Sequence, residues 1–291
     1  MDKQFAEALV AKYPYEVFNV GKGVAVSEDI KFKFLAVCIA VSGTNELSVF
    51  AAEKQIFEKI PTIPEAAELD PKEFGSFLSK VGIRFGARKG DFIQRSAEQL
   101  LRNHNGQMPD DRKQLEKFPG VSRHIASIIR SAIFGHNEFA VDHHVRRQYR
   151  RFGLGDASDL QIEKYFKTLV EPEQWAHLSR ALVDFGQDIC GGFQPRCNDC
   201  PFAGRCKSAG KPNQFLAKSP NVRPAPAMPA ALDRNAFEKM EFPSSKGDKM
   251  YVVAVRQGKL ACTCMGFRFN RKCKHVTQAA EMLTTKMDEF A

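Results

Sequence analysis

The spacing of the cysteines constrains the fold of this chain more than any other feature of its sequence. Seven of the eight cysteines fall into two short stretches, and the second stretch also contains a histidine at ligand spacing. Four soft ligands so close in sequence are typical of a metal site, and a long chain without a signal peptide is not typical of a disulfide framework. We therefore expect two metal-closed loops, with the patterns Cys190-x6-Cys197-x2-Cys200-x5-Cys206 and Cys262-x-Cys264…Cys273-x-His275.

The ligand sets differ in how far they identify the metal. Four thiolates in one small loop suit a tetrahedral zinc ion and a cubane iron–sulfur cluster equally well. Three thiolates and one imidazole form a complete, closed set for structural zinc. The remaining cysteine, Cys38, lies in an apolar run and is expected to be a buried core thiol.

The apolar pattern predicts a mainly α fold with a small ββα module at its end. Before residue 206, apolar residues recur at helical spacing, and no useful length alternates with period two. Five prolines mark residues 207–235 as an extended linker. We divide the chain into a helical core of residues 1–206, this linker, and a module of residues 236–291 in which two strands precede a helix.

Positive charge is concentrated at the C-terminal end. Of the net charge of +9, residues 207–291 carry +8, from 15 Lys and Arg against 7 Asp and Glu. Such a tail attracts polyanions, nucleic acid among them. No apolar run reaches the ~20 residues that span a bilayer. We expect a soluble intracellular protein, cytoplasmic or on the nucleoid, with no membrane partner.

A helical hairpin at about residues 111–134 is the most informative part of the helical core. Its turn is Phe118-Pro119-Gly120-Val121-Ser122, and the helix after it begins near Arg123. The first backbone N–H groups of that helix have no intrahelical acceptor and point outward. Together with the helix dipole they form an anion site suited to a backbone phosphate.

This hairpin and the segment Val141-Asp142-His143-His144-Val145 resemble the helix-hairpin-helix DNA glycosylase superfamily, in its endonuclease III branch. The segments Gly82–Lys89 and His104-Asn105-Gly106 add to the resemblance, which covers roughly residues 30–206. It implies two helical lobes with double-stranded DNA bent across the cleft between them. It also implies that the cysteine loop at residues 190–206 holds a [4Fe–4S] cluster.

The tail is similar to a SWIM zinc finger over residues 250–283. That resemblance implies a Zn²⁺ site and a module that binds DNA or a protein partner. Its basic side chains favour DNA, namely Arg268, Arg271, Lys272 and Lys274.

The resemblance assigns the catalytic carboxylate to Asp142, and the chemistry of the reaction agrees. Cleavage of an N-glycosidic bond builds positive charge on the deoxyribose. A carboxylate ~4 Å away stabilises that charge by ~4 kcal/mol at an effective dielectric near 20. This corresponds to about three powers of ten in rate.

Departures from the family pattern bear on the reaction. Bifunctional members have a lysine where this chain has His124, and an imidazole cannot form the Schiff base that leads to strand cleavage. Ser122 replaces the second glycine of the hairpin. Ser42 stands where endonuclease III has a gap-filling glutamine, so another residue is expected to be the wedge. Val37 stands where the adenine-specific branch has a carboxylate that protonates the base. This argues against adenine opposite oxidised guanine as the substrate.

The sequence therefore predicts a monofunctional DNA glycosylase that flips out and excises a damaged base, leaving an abasic site. The alternative is a non-catalytic protein that recognises lesions or DNA structures with the same hairpin; the presence of Asp142 argues against it. We expect a monomer. His124 either contacts the flipped base or sugar in the pocket or caps the helix. The predicted DNA contacts are Pro119, Gly120, Val121, Ser122, Arg123, Arg146 and Arg147.

Overall fold

A computed structural model describes residues 1–13, 26–44, 46–192, 195–210, 240–243, 250–256, 259–262 and 273–288. Most of the predicted linker and the expected zinc ligand Cys264 lie outside these residues. Helices dominate the described part of residues 1–210, which confirms the prediction of a mainly α fold. They are α1 (Lys3–Lys12), α2 (Glu28–Val41), α3 (Glu46–Lys59), α4 (Ile63–Ala67), α5 (Pro71–Lys80), α6 (Gly86–His104), α7 (Arg112–Leu115), α8 (Arg123–Phe134), α9 (His143–Arg151), α10 (Asp159–Lys167) and α11 (Trp175–Asp188).

The first hydrophobic core is formed by helices α2 to α8. Helix α2 is buried on most of its surface and contributes Phe32, Leu35 and Ile39. Helices α5 and α6 approach closely because glycines face each other. A Cβ atom on Gly75 would lie 2.6 Å from the Ala87 Cα, closer than side chains tolerate. Cys38 packs against this core, and burial raises the pKa of its thiol to about 12.

A second core joins α1 to helices α9, α10 and α11. The ring of Phe5 on α1 packs edge-on against Phe185 of α11 and Phe202 of the cysteine loop, with centroids 6.3 and 4.4 Å apart. An ion pair connects the two cores, since Arg180 Nη1 on α11 lies 2.8 Å from Glu46 Oε1 on α3. The N-terminal helix therefore belongs to the same lobe as the end of the helical region.

The C-terminal residues form a small antiparallel sheet with one helix. Strands β1 (Met240–Pro243), β2 (Met250–Arg256) and β3 (Lys259–Cys262) lie in the order β1-β2-β3, followed by α12 (Lys274–Asp288). Val253 pairs with Met240 on one side and Cys262 on the other. The sequence predicted the second and third strands and the helix, and it missed β1. Within the described residues, none of the helices is both long and apolar enough to cross a membrane.

Candidate functional site

The hairpin turn between α7 and α8 requires a glycine. Gly120 has a φ of +79°, and a Cβ there would lie 2.5 Å from Cδ2 of Phe92 on α6. Phe118 and Val121 are buried, whereas Gly120 and Ser122 are exposed. The Ser122 hydroxyl accepts a long 3.5 Å hydrogen bond from the Ile125 N–H and caps α8. The turn thus presents Gly120 and Ser122 at the surface, immediately before α8.

Ion pairs with one buried glutamate connect the two helices of the hairpin. Glu138 is buried and pairs with Arg112 of α7 and Arg130 of α8. Arg112 also donates to the Ser127 hydroxyl at 2.8 Å. Because Glu138 lies four residues before Asp142, this network connects the hairpin to the chain that enters the predicted catalytic segment.

Asp142 is the N-cap residue of α9, and its side chain is only 12% exposed. Its Oδ1 accepts a 2.9 Å hydrogen bond from the Val145 N–H. Its Oδ2 lies 3.6 Å from Nδ1 of His143, a histidine whose pKa is lowered mainly by burial. The cap fixes the carboxylate through one oxygen and leaves the second oxygen outside the cap hydrogen bond.

His124, the second residue of α8, lies in the same electrostatic environment as Asp142. Burial lowers its pKa below the ordinary value of 6.5, while the Asp142 and Asp159 carboxylates oppose that shift. Its Nδ1 is buried without a hydrogen-bond partner. The structure therefore brings together the predicted catalytic residue and the residue that replaces the lysine of bifunctional enzymes.

The arginines of α9 have protein partners. Arg146 forms a two-pronged ion pair with Asp159, with both distances 2.5 Å. Arg147 donates to the carbonyls of Cys190 and Gly186, and Arg123 of α8 pairs with Glu163 at 3.0 Å. Their prediction as DNA contacts stays a prediction. A basic cavity of about 410 Å³ is nevertheless lined by one face of α9, comprising His143, Arg146, Arg147, Arg150 and Arg151.

Arg147 and Arg151 attach α9 to the cysteine loop. Arg151 Nη1 lies 3.3 Å from the Cys190 Sγ and 2.7 Å from the Gly191 carbonyl oxygen. Burial lowers the pKa of His144 to about 4, and its neutral Nδ1 is 2.8 Å from the Arg147 Nη2. The helix that begins at Asp142 is therefore fixed to the loop that carries the four thiols.

All four cysteines of this loop line one cavity of about 230 Å³. Burial raises the pKa of the Cys200 thiol, a backbone hydrogen bond at Phe202 opposes that shift, and the neighbouring thiols add to it. Four thiolates on one zinc ion would have sulfur atoms about 3.8 Å apart, given Zn–S bonds near 2.3 Å. The four thiols that line this cavity supply the number of ligands that either a single zinc ion or a cubane iron–sulfur cluster requires.

Three of the four expected zinc ligands lie together in the C-terminal module. The ligand atoms of Cys262, Cys273 and His275 all fall within 4.8 Å of one another. The Cys262 Sγ is 3.6 Å from the His275 Nδ1. A tetrahedral zinc ion with ordinary Zn–S and Zn–N bonds separates such atoms by about 3.5 Å, so the donor set fits zinc.

Phe85 is a residue that the sequence analysis did not single out. It is 63% exposed and has a left-handed backbone, with φ of 58°. The Arg84 guanidinium lies 5.1 Å from its ring, and a Cβ on Gly43 would lie 3.7 Å from it. The exposed ring thus lies beside the turn that contains Ser42, on a residue whose backbone conformation is uncommon for a side chain of this size. The available sequence signal was an aromatic residue between Arg and Gly.

Lys89 of α6 holds the same turn in place. Its Nζ donates to the Ala40 carbonyl and the Thr44 hydroxyl, both at 2.7 Å. Burial, with a further contribution from Arg84, lowers its pKa to about 8. Val37, which replaces the carboxylate of the adenine-specific branch, is buried in the first core.

Comparisons with known proteins agree with this architecture. A profile of the HhH-GPD superfamily base excision DNA repair proteins matches residues 38–172. Endonuclease III of Bacillus subtilis (strain 168) is 30% identical over 179 residues, which are 61% of this chain and 80% of that protein. A non-covalent endonuclease III–DNA complex has a TM-score of 0.63 at 26% identity, over 72% of this chain and 97% of that chain. A trapped endonuclease III–DNA covalent intermediate has a TM-score of 0.61 at 26% identity, with the same coverage.

The predicted superfamily is thus confirmed. Both the sequence similarity and the helical fold extend well beyond the hairpin. The chain belongs to the HhH-GPD superfamily of base excision DNA repair proteins.

Proposed function

We propose that this protein is a monofunctional DNA N-glycosylase of base excision repair. It flips a damaged base out of double-stranded DNA, hydrolyses the N-glycosidic bond and leaves an abasic site. The observation that carries the proposal is the Asp142 carboxylate, held at the start of α9 next to the hairpin, with His124 beside it.

Asp142 is the proposed catalytic residue. With Oδ1 fixed by the Val145 N–H, Oδ2 is the oxygen that faces the deoxyribose and stabilises its positive charge. The same carboxylate orients the attacking water. When the DNA is bent across the cleft, the flipped nucleotide places its C1′ next to the Asp142 carboxylate.

The absence of lyase activity is proposed from His124. A trapped covalent intermediate is known for endonuclease III, a relative at 26% identity. A covalent intermediate of this kind needs an amine, and position 124 provides an imidazole. The product is therefore an intact strand with an abasic site.

DNA contacts are proposed for the hairpin, the first turn of α8 and the exposed ring of Phe85. The outward N–H groups near Gly120 and Ser122 bind a phosphate, with Pro119, Val121 and Arg123 shaping the turn. The Phe85 ring is the wedge that fills the gap left by the flipped base, since aromatic rings stack on bases. Arg146 and Arg147 add positive potential along α9.

Two metal centres complete the proposal. Cys190, Cys197, Cys200 and Cys206 would hold a [4Fe–4S] cluster that fixes the loop attached to α9. Cys262, Cys264, Cys273 and His275 would hold Zn²⁺ and provide folding energy for the small C-terminal module. The module, residues 236–291, is joined by the linker of residues 207–235 to the core of residues 1–206. It tethers a monomeric enzyme to DNA or contacts a protein partner.

The experiment is base release from a panel of lesion-containing duplexes, detected by mass spectrometry. We expect free base from at least one lesion, with strands that break only after alkali or heat and no borohydride-trapped complex. Efficient trapping would contradict the monofunctional assignment. Lesion binding without release of any base would favour a non-catalytic recognition protein, for which the missing lysine is the supporting observation.

A further inference from the structure

His124 has a buried nitrogen that no group of the protein satisfies. It is the second residue of α8, and its Nδ1 has no hydrogen-bond partner. Buried polar side-chain atoms in folded proteins nearly always have one. The imidazole is therefore not placed there for a structural hydrogen bond at Nδ1.

The charged groups that act on the ring come from two helices, α9 with its N-cap and α10. The ring interacts electrostatically with Asp142 at the cap of α9, with His143 and Arg146 on α9, and with Asp159 at the start of α10. Burial outweighs the two carboxylates and keeps the ring neutral at neutral pH. A neutral imidazole carries one proton, and its position decides what the residue can do.

The lack of a hydrogen-bond partner at Nδ1 indicates which of the two ring nitrogens carries the proton. A proton on Nδ1 would be a buried, unpaired N–H, which costs ~1–3 kcal/mol. The tautomer with its proton on Nε2 leaves Nδ1 as a buried, unpaired acceptor instead, and folded proteins leave acceptors unsatisfied more often than N–H groups. Nε2 is then the hydrogen-bond donor of a ring that interacts electrostatically with the Asp142 carboxylate.

We propose that His124 donates a hydrogen bond from Nε2 to the base during its excision, at the acceptor next to the glycosidic nitrogen. This acceptor is O2 of a pyrimidine or N3 of a purine. The inference rests on the proposed glycosylase function. The other acceptor near C1′ is the ring oxygen of the sugar, which becomes electron-poor in the transition state, whereas the base gains electrons.

The donor therefore acts on the leaving group. As the C1′–N bond breaks, its electron pair moves onto the base, and the hydrogen bond from Nε2 strengthens. The water oxygen forms the new bond to C1′, and its proton passes to the Asp142 carboxylate. His124 keeps its own proton throughout.

The test compares His124→Leu, which has a similar size but no donor, with His124→Gln, whose amide N–H lies near the Nε2 position. Single-turnover release is measured on the duplex that the lesion panel identifies, with DNA affinity and thermal melting in parallel. We expect the Leu variant to excise 10²- to 10³-fold more slowly, as on removal of one transition-state donor. DNA affinity should change less than a few-fold, and the Gln variant should recover most of the rate.

Several outcomes would overturn the role of His124. They are a wild-type rate in the Leu variant, a Gln variant as slow as the Leu variant, or an equal loss of DNA affinity and rate. A pH–rate profile that differs between wild type and the Gln variant from pH 6 to 8 would indicate proton transfer and also contradict it. If the Leu variant fails to fold, His124→Asn replaces it, because its amide reaches only the Nδ1 position. Release of no base by the wild-type protein contradicts the glycosylase function itself.

Discussion

Asp142 has two roles that substitutions can separate, a helix cap and a negative charge. The Asp142 Oδ1 accepts the Val145 N–H at 2.9 Å, and the side chain is 12% exposed. Asparagine keeps an oxygen acceptor in the same place and removes the charge. Alanine removes both. The two variants therefore distinguish the structural role from the catalytic one.

The expected magnitudes differ in the two assays. Loss of the cap in Asp142→Ala lowers the free energy of unfolding by ~1 kcal/mol. Asp142→Asn loses only the favourable interaction of a charge with the N-terminus of α9, ~0.3–1 kcal/mol. The electrostatic term of ~4 kcal/mol in the transition state is lost in both variants. Both should therefore excise about 10³-fold more slowly.

The measurement is single-turnover base release with enzyme in excess, together with thermal melting and DNA binding. A matched control is Asp70→Ala, which removes the N-cap carboxylate of α5. It should lower the melting temperature and leave the rate of release unchanged. An Asp142→Asn variant that keeps a tenth or more of the wild-type rate would refute the catalytic assignment.

Other regions of the molecule give further predictions. Deleting residues 207–291 should flatten the slope of log affinity against log salt by about three if the module makes three or four phosphate contacts, at roughly 0.9 per contact. Cys273→Ser should have the same effect, and an unchanged slope would mean that the tail binds protein instead. Phe85→Ala should slow excision more than it weakens binding to an abasic product, measured by anisotropy. Gly120→Ala should lower both melting temperature and DNA affinity, because its Cβ would meet Phe92 at 2.5 Å. Burial lowers the Lys89 pKa to about 8 from 10.5, so the folded protein loses that proton first. As the pH rises from about 8 to 10.5, the free energy of unfolding of the wild type should therefore increase relative to that of Lys89→Met. Urea titrations at several pH values measure this difference.

Much of the site could be predicted from the sequence because its signals are local. The helical periods, the Pro119-Gly120 turn and the cap residue Asp142 each depend on a few neighbouring residues. The two predicted sets of metal ligands also lie within short stretches, so their spacing alone was enough to predict them. These features are decided by backbone geometry and ligand chemistry over short distances.

The tertiary structure decided which groups meet across the chain. Arg147 is a predicted DNA contact, and only the structure shows that it and Arg151 also hold the cysteine loop through Cys190. The neutral state of His124 depends on burial, and its unpartnered Nδ1 depends on which side chains surround it. Helix α1 joined the second core through Phe5. No short-range pattern contains this information, because partners and desolvation are set only when distant helices pack together.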